Sequence, residues 1–128
     1  MSTPTDLRYT TSHEWVRVDG DIVTVGITAY AQSSLGDVVY VDMPDVDDAF
    51  EQGADLAEIE SVKAVSNIYA PVSGTVTETN ENIEDSPEVV NEDPYGNGWL
   101  IKLSLNDAAE LDSLLDAAAY DAHTAAAG

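Results

Sequence analysis

Apolar and polar residues alternate over 15–27 on both sides of Asp19-Gly20-Asp21, the period-two pattern of two strands joined by a tight turn. Over 28–35 the alternation stops. Thr28 offers a capping hydroxyl there and Gly36 a stop, so the stretch reads as a two-turn helix. A strand pattern resumes over 37–43 and ends at Pro44, and 45–53 is acidic and turn-like. Two apolar arms, 54–62 and 64–70, then flank Lys63, with Pro71 closing the second. Residues 74–78 read as a further strand, 80–94 as a polar connection long enough for short helical turns, and 99–104 as the last strand. Leu111, Leu114, Leu115 and Ala118 recur at helical spacing, with Asn106 or Asp107 as a cap, which predicts a C-terminal helix over about 107–121. The alanine-rich end, 124–128, is expected to fray. Many short strands punctuated by Gly and Pro, with one terminal helix, predict a mainly β sandwich or barrel. A length of 128 residues fits one domain, 1–128, with its core over about 7–121.

Charge changes the picture more than apolar content does. The chain has 25 acids against four basic residues, a formal charge of −21. Nucleic acid and anionic membrane would repel such a surface, and no basic stripe offsets it. The acids are spread along the chain, at Asp42, Asp45, Asp47, Asp48, Glu78, Glu81, Glu84, Asp85, Glu92 and Asp93 among others. Self-repulsion of this density is tolerable where salt shortens the screening length to about 3 Å at 1 M, which points to a halophilic host with a very salty interior. An acidic face that docks basic partners is the alternative. No cysteine is present, so there is no disulfide framework, thiolate metal site or cysteine nucleophile. Residues 1–11 lack a basic start and an apolar stretch, and no apolar run approaches the roughly 18 residues of a membrane span. The simplest expectation is a soluble, cytoplasmic protein.

Against this background Lys63 stands out as one of only two lysines. A lysine at the tip of a turn between two strands is exposed while its backbone is held by pairing on both arms, the geometry a modifying enzyme needs. Lys102 alternates with Ile101 and Leu103 and reads as the outward residue of a half-buried ladder. Other chemistries find no support. His13-Glu14 lacks the second histidine of a metalloprotease at position 17, which is Arg17, and the cluster at 45–48 lacks the glycine and terminal glutamate of a calcium loop, so no metal site is expected. Gly96-Asn97-Gly98 is a turn before Trp99, and both tryptophans are expected in the core.

From Lys63 through Ile68 and Gly74 to Val76 the sequence is similar to the lipoyl attachment pattern. Three other segments narrow the likeness: Tyr9-Thr10-Thr11-Ser12-His13-Glu14-Trp15-Val16, Val25-Gly26-Ile27-Thr28-Ala29-Tyr30-Ala31-Gln32, and Val90-Asn91-Glu92-Asp93-Pro94-Tyr95-Gly96-Asn97-Gly98-Trp99-Leu100. With Glu60-Ser61-Val62-Lys63-Ala64 they resemble the glycine cleavage H proteins over residues 7–121. Biotin carriers usually set their lysine between methionines, where this chain has Val62 and Ala64. The lipoyl domains of 2-oxo acid dehydrogenases commonly place Asp before the lysine and lack the His-Glu-Trp and Pro-Tyr-Gly segments; such a domain, or a lipoate relay, is the competing reading.

The resemblance implies a lipoyl/biotinyl-type barrel-sandwich hybrid with short helices, and a carrier that is not itself an enzyme. Lipoate would be joined covalently to Lys63, within an attachment motif that includes Glu60 and Gly74. The carrier would shuttle the aminomethyl group of glycine between glycine decarboxylase (P protein) and aminomethyltransferase (T protein). Dihydrolipoyl dehydrogenase (L protein) would reoxidise the arm, and a lipoate ligase or a lipoyl/octanoyl transferase would load it. A cleft formed by Ser12, Glu14 and a polar residue four after the lysine would shelter the loaded arm. That residue is Asn67, where an aspartate is frequent in the family, so Glu14 would carry more of the pairing with the cationic amine. A monomer is expected.

Overall fold

The computed structural model describes residues 4–127. Among the described residues nine strands form: β1 (Arg8–Tyr9), β2 (Glu14–Asp19), β3 (Ile22–Ile27), β4 (Val38–Asp42), β5 (Ala49–Phe50), β6 (Asp55–Ser61), β7 (Val65–Tyr69), β8 (Gly74–Thr79) and β9 (Ile101–Leu105). They build a six-stranded sheet, ordered β1-β2-β3-β9-β8-β5, and a three-stranded sheet, ordered β4-β6-β7. Every pairing is antiparallel. The mainly β expectation therefore holds.

The alternation in the sequence is what packs the two sheets together. Val16, Val23, Val25, Val76, Ile101 and Leu103 of the larger sheet meet Val38, Val41, Leu56, Ile59 and Ile68 of the smaller one in a single buried cluster. Burial of this kind stabilises by roughly 25 cal/mol per Å² of apolar surface. The first hairpin turns at Gly20, whose φ of 63° a side chain would resist. Trp15 is fully buried, as expected, and its indole N–H donates to the Pro94 carbonyl at 2.8 Å. Gly26 is required opposite it, since an added Cβ would lie 2.6 Å from the ring. Trp99 is only half-buried, and Lys102 lies 5.1 Å above its ring.

The helices complete the body. α1 (Ala29–Leu35) starts where Thr28 accepts from the Ala31 N–H and stops at Gly36, as its sequence predicts. The 80–94 connection holds two short helices, α2 (Glu81–Asp85) and α3 (Val89–Glu92). At the C-terminal end the expectation is corrected. The stretch 107–121 is not one helix: a 3-10 turn, Ala108–Ser113, capped by Asp107, gives way to extended backbone at Leu114. Leu115 then exchanges backbone hydrogen bonds with Tyr9, at 2.7 and 2.8 Å. Pairing with the exposed edge of β1 and seating Leu111 and Leu114 on the main core outweigh helix continuation. The helix restarts as α4 (Ala117–Ala127), where Asp116 accepts from the Ala119 N–H. α4 runs through 124–127, and Gly128, at the end of the stretch expected to fray, lies outside the described residues.

Candidate functional site

Lys63 sits on the tip joining β6 to β7. The Ser61 N–H donates to the Ala64 carbonyl at 2.8 Å, leaving Val62 and Lys63 as a two-residue connection. The Ser61 hydroxyl oxygen also accepts from the Lys63 and Ala64 N–H groups, at 3.3 and 3.1 Å. A further bond, from the Val62 N–H to the Asp37 carbonyl at 3.0 Å, ties the tip to the junction of α1 and β4. The side chain is exposed and its stem lies along Gly36, where an added Cβ would approach the Lys63 Cε to 3.0 Å. Gly36 therefore serves both the helix stop, at φ 79°, and passage of the lysine stem.

That junction is fixed by Asn91 of α3. Its amide donates to the Gly36 carbonyl at 2.8 Å and to Gln32 at 3.0 Å, and its carbonyl oxygen accepts from the Val38 N–H at 2.8 Å. Nothing in the local pattern around Asn91 marks it for this work; only the packing of α3 on α1 brings it there.

Between α1 and β7 runs a cleft of about 160 Å³, lined on its polar side by Ser12, His13, Tyr30, Ser34, Ser66 and Asn67. Its apolar wall is Ile27, Ala31, Leu35 and Ile68. Tyr30 and Ser34 are four apart in one helix, so a helical reading places them on one face. His13 is a different case: its φ of 73°, in the left-handed region, belongs to the turn that returns the chain into β2. Burial, with His123 nearby, lowers its pKa. Its Nδ1 lies 2.7 Å from the Tyr120 hydroxyl, which lies 2.7 Å from the Thr28 hydroxyl, so α4 is latched to the rim of the cleft.

Ser12 also lines a second cavity, of about 210 Å³, whose lining includes Glu14. Glu14 is 1% exposed, in contrast to an ordinary strand acid. One carboxylate oxygen accepts from the Thr10 and Ser12 hydroxyls, both at 2.6 Å, and the other faces the Tyr69 N–H at 3.5 Å. Burial pushes its pKa up, against the opposing pull of these hydrogen bonds. A buried carboxylate with donors on one oxygen and little on the other is an acceptor suited to a cation.

The expected residues are thus only partly gathered. Ser12 and Glu14 are brought together, and Ser12 and Asn67 share the cleft. Asn67 also borders an outer groove beside Asp42 and Glu58. Glu60 is half-buried in β6, paired across the sheet with Tyr40 and Val65. Gly74 stands in the other sheet, paired with Phe50 and Leu105, where an added Cβ would collide with the Ser104 carbonyl. Packing between β8 and β9 accounts for that glycine.

A family model for the glycine cleavage H-protein matches residues 7–126. The chain belongs to this family. Among curated relatives, the glycine cleavage system H protein of Alteromonas mediterranea is 59% identical over 119 residues, 92% of each chain. That of Symbiobacterium thermophilum is 55% identical over 121 residues, 94% of each chain. The crystal structure of a glycine cleavage system H protein from Mycobacterium marinum superposes with a TM-score of 0.89 at 38% identity, covering 96% of this chain and 99% of that one. The expected H-protein fold, a barrel-sandwich with short helices and a C-terminal helix, is therefore the fold observed.

Proposed function

We propose that this protein is the lipoyl-lysine carrier of the glycine cleavage system, taking the aminomethyl group of glycine from one enzyme to the next and catalysing no step itself. The observation that carries the reading is an exposed lysine on a two-residue turn together with two cavities that share Ser12, a cleft between α1 and β7 and a second one lined by the buried carboxylate of Glu14. The residues fit a lipoyl group: the amine is free for amide formation, the apolar wall of Ile27, Ala31, Leu35 and Ile68 suits a hydrocarbon stem, and polar groups stand beyond it. When bound there, that group would supply a dithiolane whose S–S bond opens with the electron pair left by decarboxylation of glycine, one sulfur taking the one-carbon unit and the other a proton. The protein's own part is to hold and shield. Ser12 and Glu14 accept hydrogen bonds from a cationic amine, and the cleft walls keep water from it. Asn67 at the rim adds a neutral acceptor, which leaves the charge pairing to Glu14.

The partners implied are a glycine decarboxylase, an aminomethyltransferase, a dihydrolipoyl dehydrogenase and an enzyme that attaches lipoate, meeting a monomeric carrier in the cytoplasm. Glu60, three residues before the lysine on the same strand, would help the attaching enzyme recognise the turn. The charge of −21 adds a salt-rich cell interior to this reading. Intact mass of protein made in a lipoate-competent host tests attachment: a lipoyl increment lost in Lys63→Arg supports it, and an unmodified chain refutes it. Glycine–bicarbonate exchange, reconstituted with the decarboxylase, separates this carrier from a lipoyl domain serving a 2-oxo acid dehydrogenase, which would give no exchange.

A further inference from the structure

The turn that carries Ser12 has an uncommon occupant. The Thr10 N–H donates to the Glu14 carbonyl at 3.0 Å and the His13 N–H to the Thr10 carbonyl at 3.2 Å. Residues 11–13 are thus a three-residue hairpin loop whose last position is left-handed, with His13 at φ 73°. Glycine adopts that conformation freely and a histidine does not, so its side-chain contacts hold it there. The loop also brings together the residues on either side of His13: the Ser12 hydroxyl donates to a Glu14 carboxylate oxygen at 2.6 Å. Those contacts come from the far end of the chain. The Tyr120 hydroxyl lies 2.7 Å from His13 Nδ1 and 2.7 Å from the Thr28 hydroxyl. One turn along α4, on the same face, His123 Nε2 lies 3.1 Å from the Thr11 carbonyl oxygen. Tyr30 adds its ring, 4.6 Å from that of His13, and the His13 carbonyl accepts from the Thr28 N–H at 3.1 Å. α4 therefore grips the loop at Thr11 and at His13, one residue to each side of Ser12, and Ser12 is the residue that the two cavities share.

We propose that Tyr120 and His123 of α4 are positioning residues for the arm's resting place: they fix the shape of the 11–13 loop and, through it, the direction in which Ser12 and Glu14 face a cationic amine. The proposal rests on the lipoyl-lysine reading above. Direction matters because the Ser12 hydroxyl has one proton, which it gives to Glu14, so its lone pairs are what it offers an amine. A loop free to turn would carry that oxygen away and remove one of the two hydroxyl donors to the Glu14 carboxylate. Packing alone does not account for the residue at 120. Tyr120 is 2% exposed and its ring stacks on Tyr9 at 4.8 Å, a contact that phenylalanine would make equally well. The buried hydroxyl instead needs polar partners, and it has them in His13 and Thr28, so this network selects one loop conformation among those that an apolar contact would tolerate. Thr28 is also the cap of α1, which lines the cleft, so the same hydroxyl sets the loop against that wall.

The test has two readouts: amide hydrogen exchange in the unmodified chain, and the lifetime of the aminomethyl group on the lipoylated chain loaded by the decarboxylase. Tyr120→Phe keeps the ring on Tyr9 and removes only the hydroxyl. It is expected to raise exchange at the His13 and Thr28 amides about fivefold and to shorten the lifetime about fivefold, the effect of one net hydrogen bond. His123→Ala should act in the same direction. His13→Asn, which tolerates the left-handed conformation and keeps a polar group near the Nδ1 position, should retain the lifetime, whereas the β-branched His13→Val should lose it. Ala118→Ser, exposed on α4, should change neither readout. Thermal melts monitor the fold, and if Tyr120→Phe proves unfolded, His123→Ala carries both readouts. Either readout left unaltered in the folded variant would overturn the proposal. So would lifetimes that track melting temperature across the whole set, His13→Asn included, since α4 would then act only on stability. An unaltered carrier that loses its aminomethyl group as fast as free aminomethyl-lipoamide would refute the sheltered-arm reading instead, a separate outcome.

Discussion

Glu14 combines two properties that pull against each other. Its burial makes the charged form costly, and the Thr10 and Ser12 hydroxyls recover only part of that cost. With its folded pKa above the value of 4.5 for a free side chain, the contribution to stability is full below that value and is lost as pH rises through the raised pKa. Glu14→Gln should therefore melt no lower than the unaltered protein at pH 7, while the loaded carrier loses its aminomethyl unit faster. The same variant should flatten a pH dependence: in the unaltered protein the lifetime should shorten as pH falls through the raised pKa, above the ordinary carboxylate range. A lifetime unchanged by Glu14→Gln at pH 7 would remove Glu14 from the resting place of the arm. Lys63 and Glu14 were legible as residues, the first by rarity and position, the second by the segment it lies in. His13 was legible only as a poor metal ligand, because neither a left-handed backbone nor a tyrosine more than a hundred residues away leaves a mark in the neighbouring sequence.

At the scale of elements, two junctions present the site. The first is the α1–β4 corner beneath Lys63, where Asn91 satisfies Gly36, Val38 and Gln32 at once. Asn91→Ala strands these half-buried groups and should cost about 1–3 kcal/mol in denaturant unfolding, the usual penalty for unpaired buried polar atoms. Hydrogen exchange at the Val38 and Val62 amides should rise with it, since the Val62 bond to Asp37 depends on the same corner. The second junction is α4 against β1. Tyr120 stacks on Tyr9 at 4.8 Å and links His13 to Thr28, while His123 approaches the Thr11 carbonyl at 3.1 Å. The lowered pKa of His13 gives this docking a sign: the unfolded state binds its proton first, so stability falls as pH drops below the free value of 6.5. Amide exchange in α4 should accelerate between pH 7 and pH 5 ahead of the sheets. Equal exchange at the two pH values would show that His13 does not hold α4. The longer strands and α1 were readable because period and caps are local signals, whereas β1 and β5, the latter inside the stretch read as turn-like over 45–53, are two residues each and too short to show a period. The terminal helix was misread because Leu114 and Leu115 fit helical spacing and strand pairing alike, and the open edge of β1 decided between them.

For the whole molecule, a charge of −21 on 128 residues is a long-range repulsion that the fold must withstand. Two of its four basic residues are committed to packing: Arg17 lies 4.9 Å above Trp15 and donates to the Tyr95 carbonyl at 2.7 Å, and Lys102 covers Trp99. Salt would screen that repulsion, since at molar concentration the Debye length is about 3 Å. The melting temperature should climb steadily from low to molar KCl; a flat response would remove salt adaptation as the reason for the charge. In a salt-rich interior partners would be reached less by charge than by short-range apolar contact, and Val39, Tyr40, Val62 and Val65 stand exposed on β4, β7 and the turn that carries Lys63. By itself the sequence determined the longer strands, α1 and its caps, the exceptional lysine and the family, because each is written in local periodicity, composition or contiguous motifs. Only the tertiary structure decided that Glu14 is buried against Ser12, that His13 and Asn91 serve the site, that Gly74 packs β8 on β9, and that residues 107–127 break and restart. Those outcomes depend on which distant surfaces meet, and burial, register and competition for a sheet edge exist only once the two sheets have closed on each other.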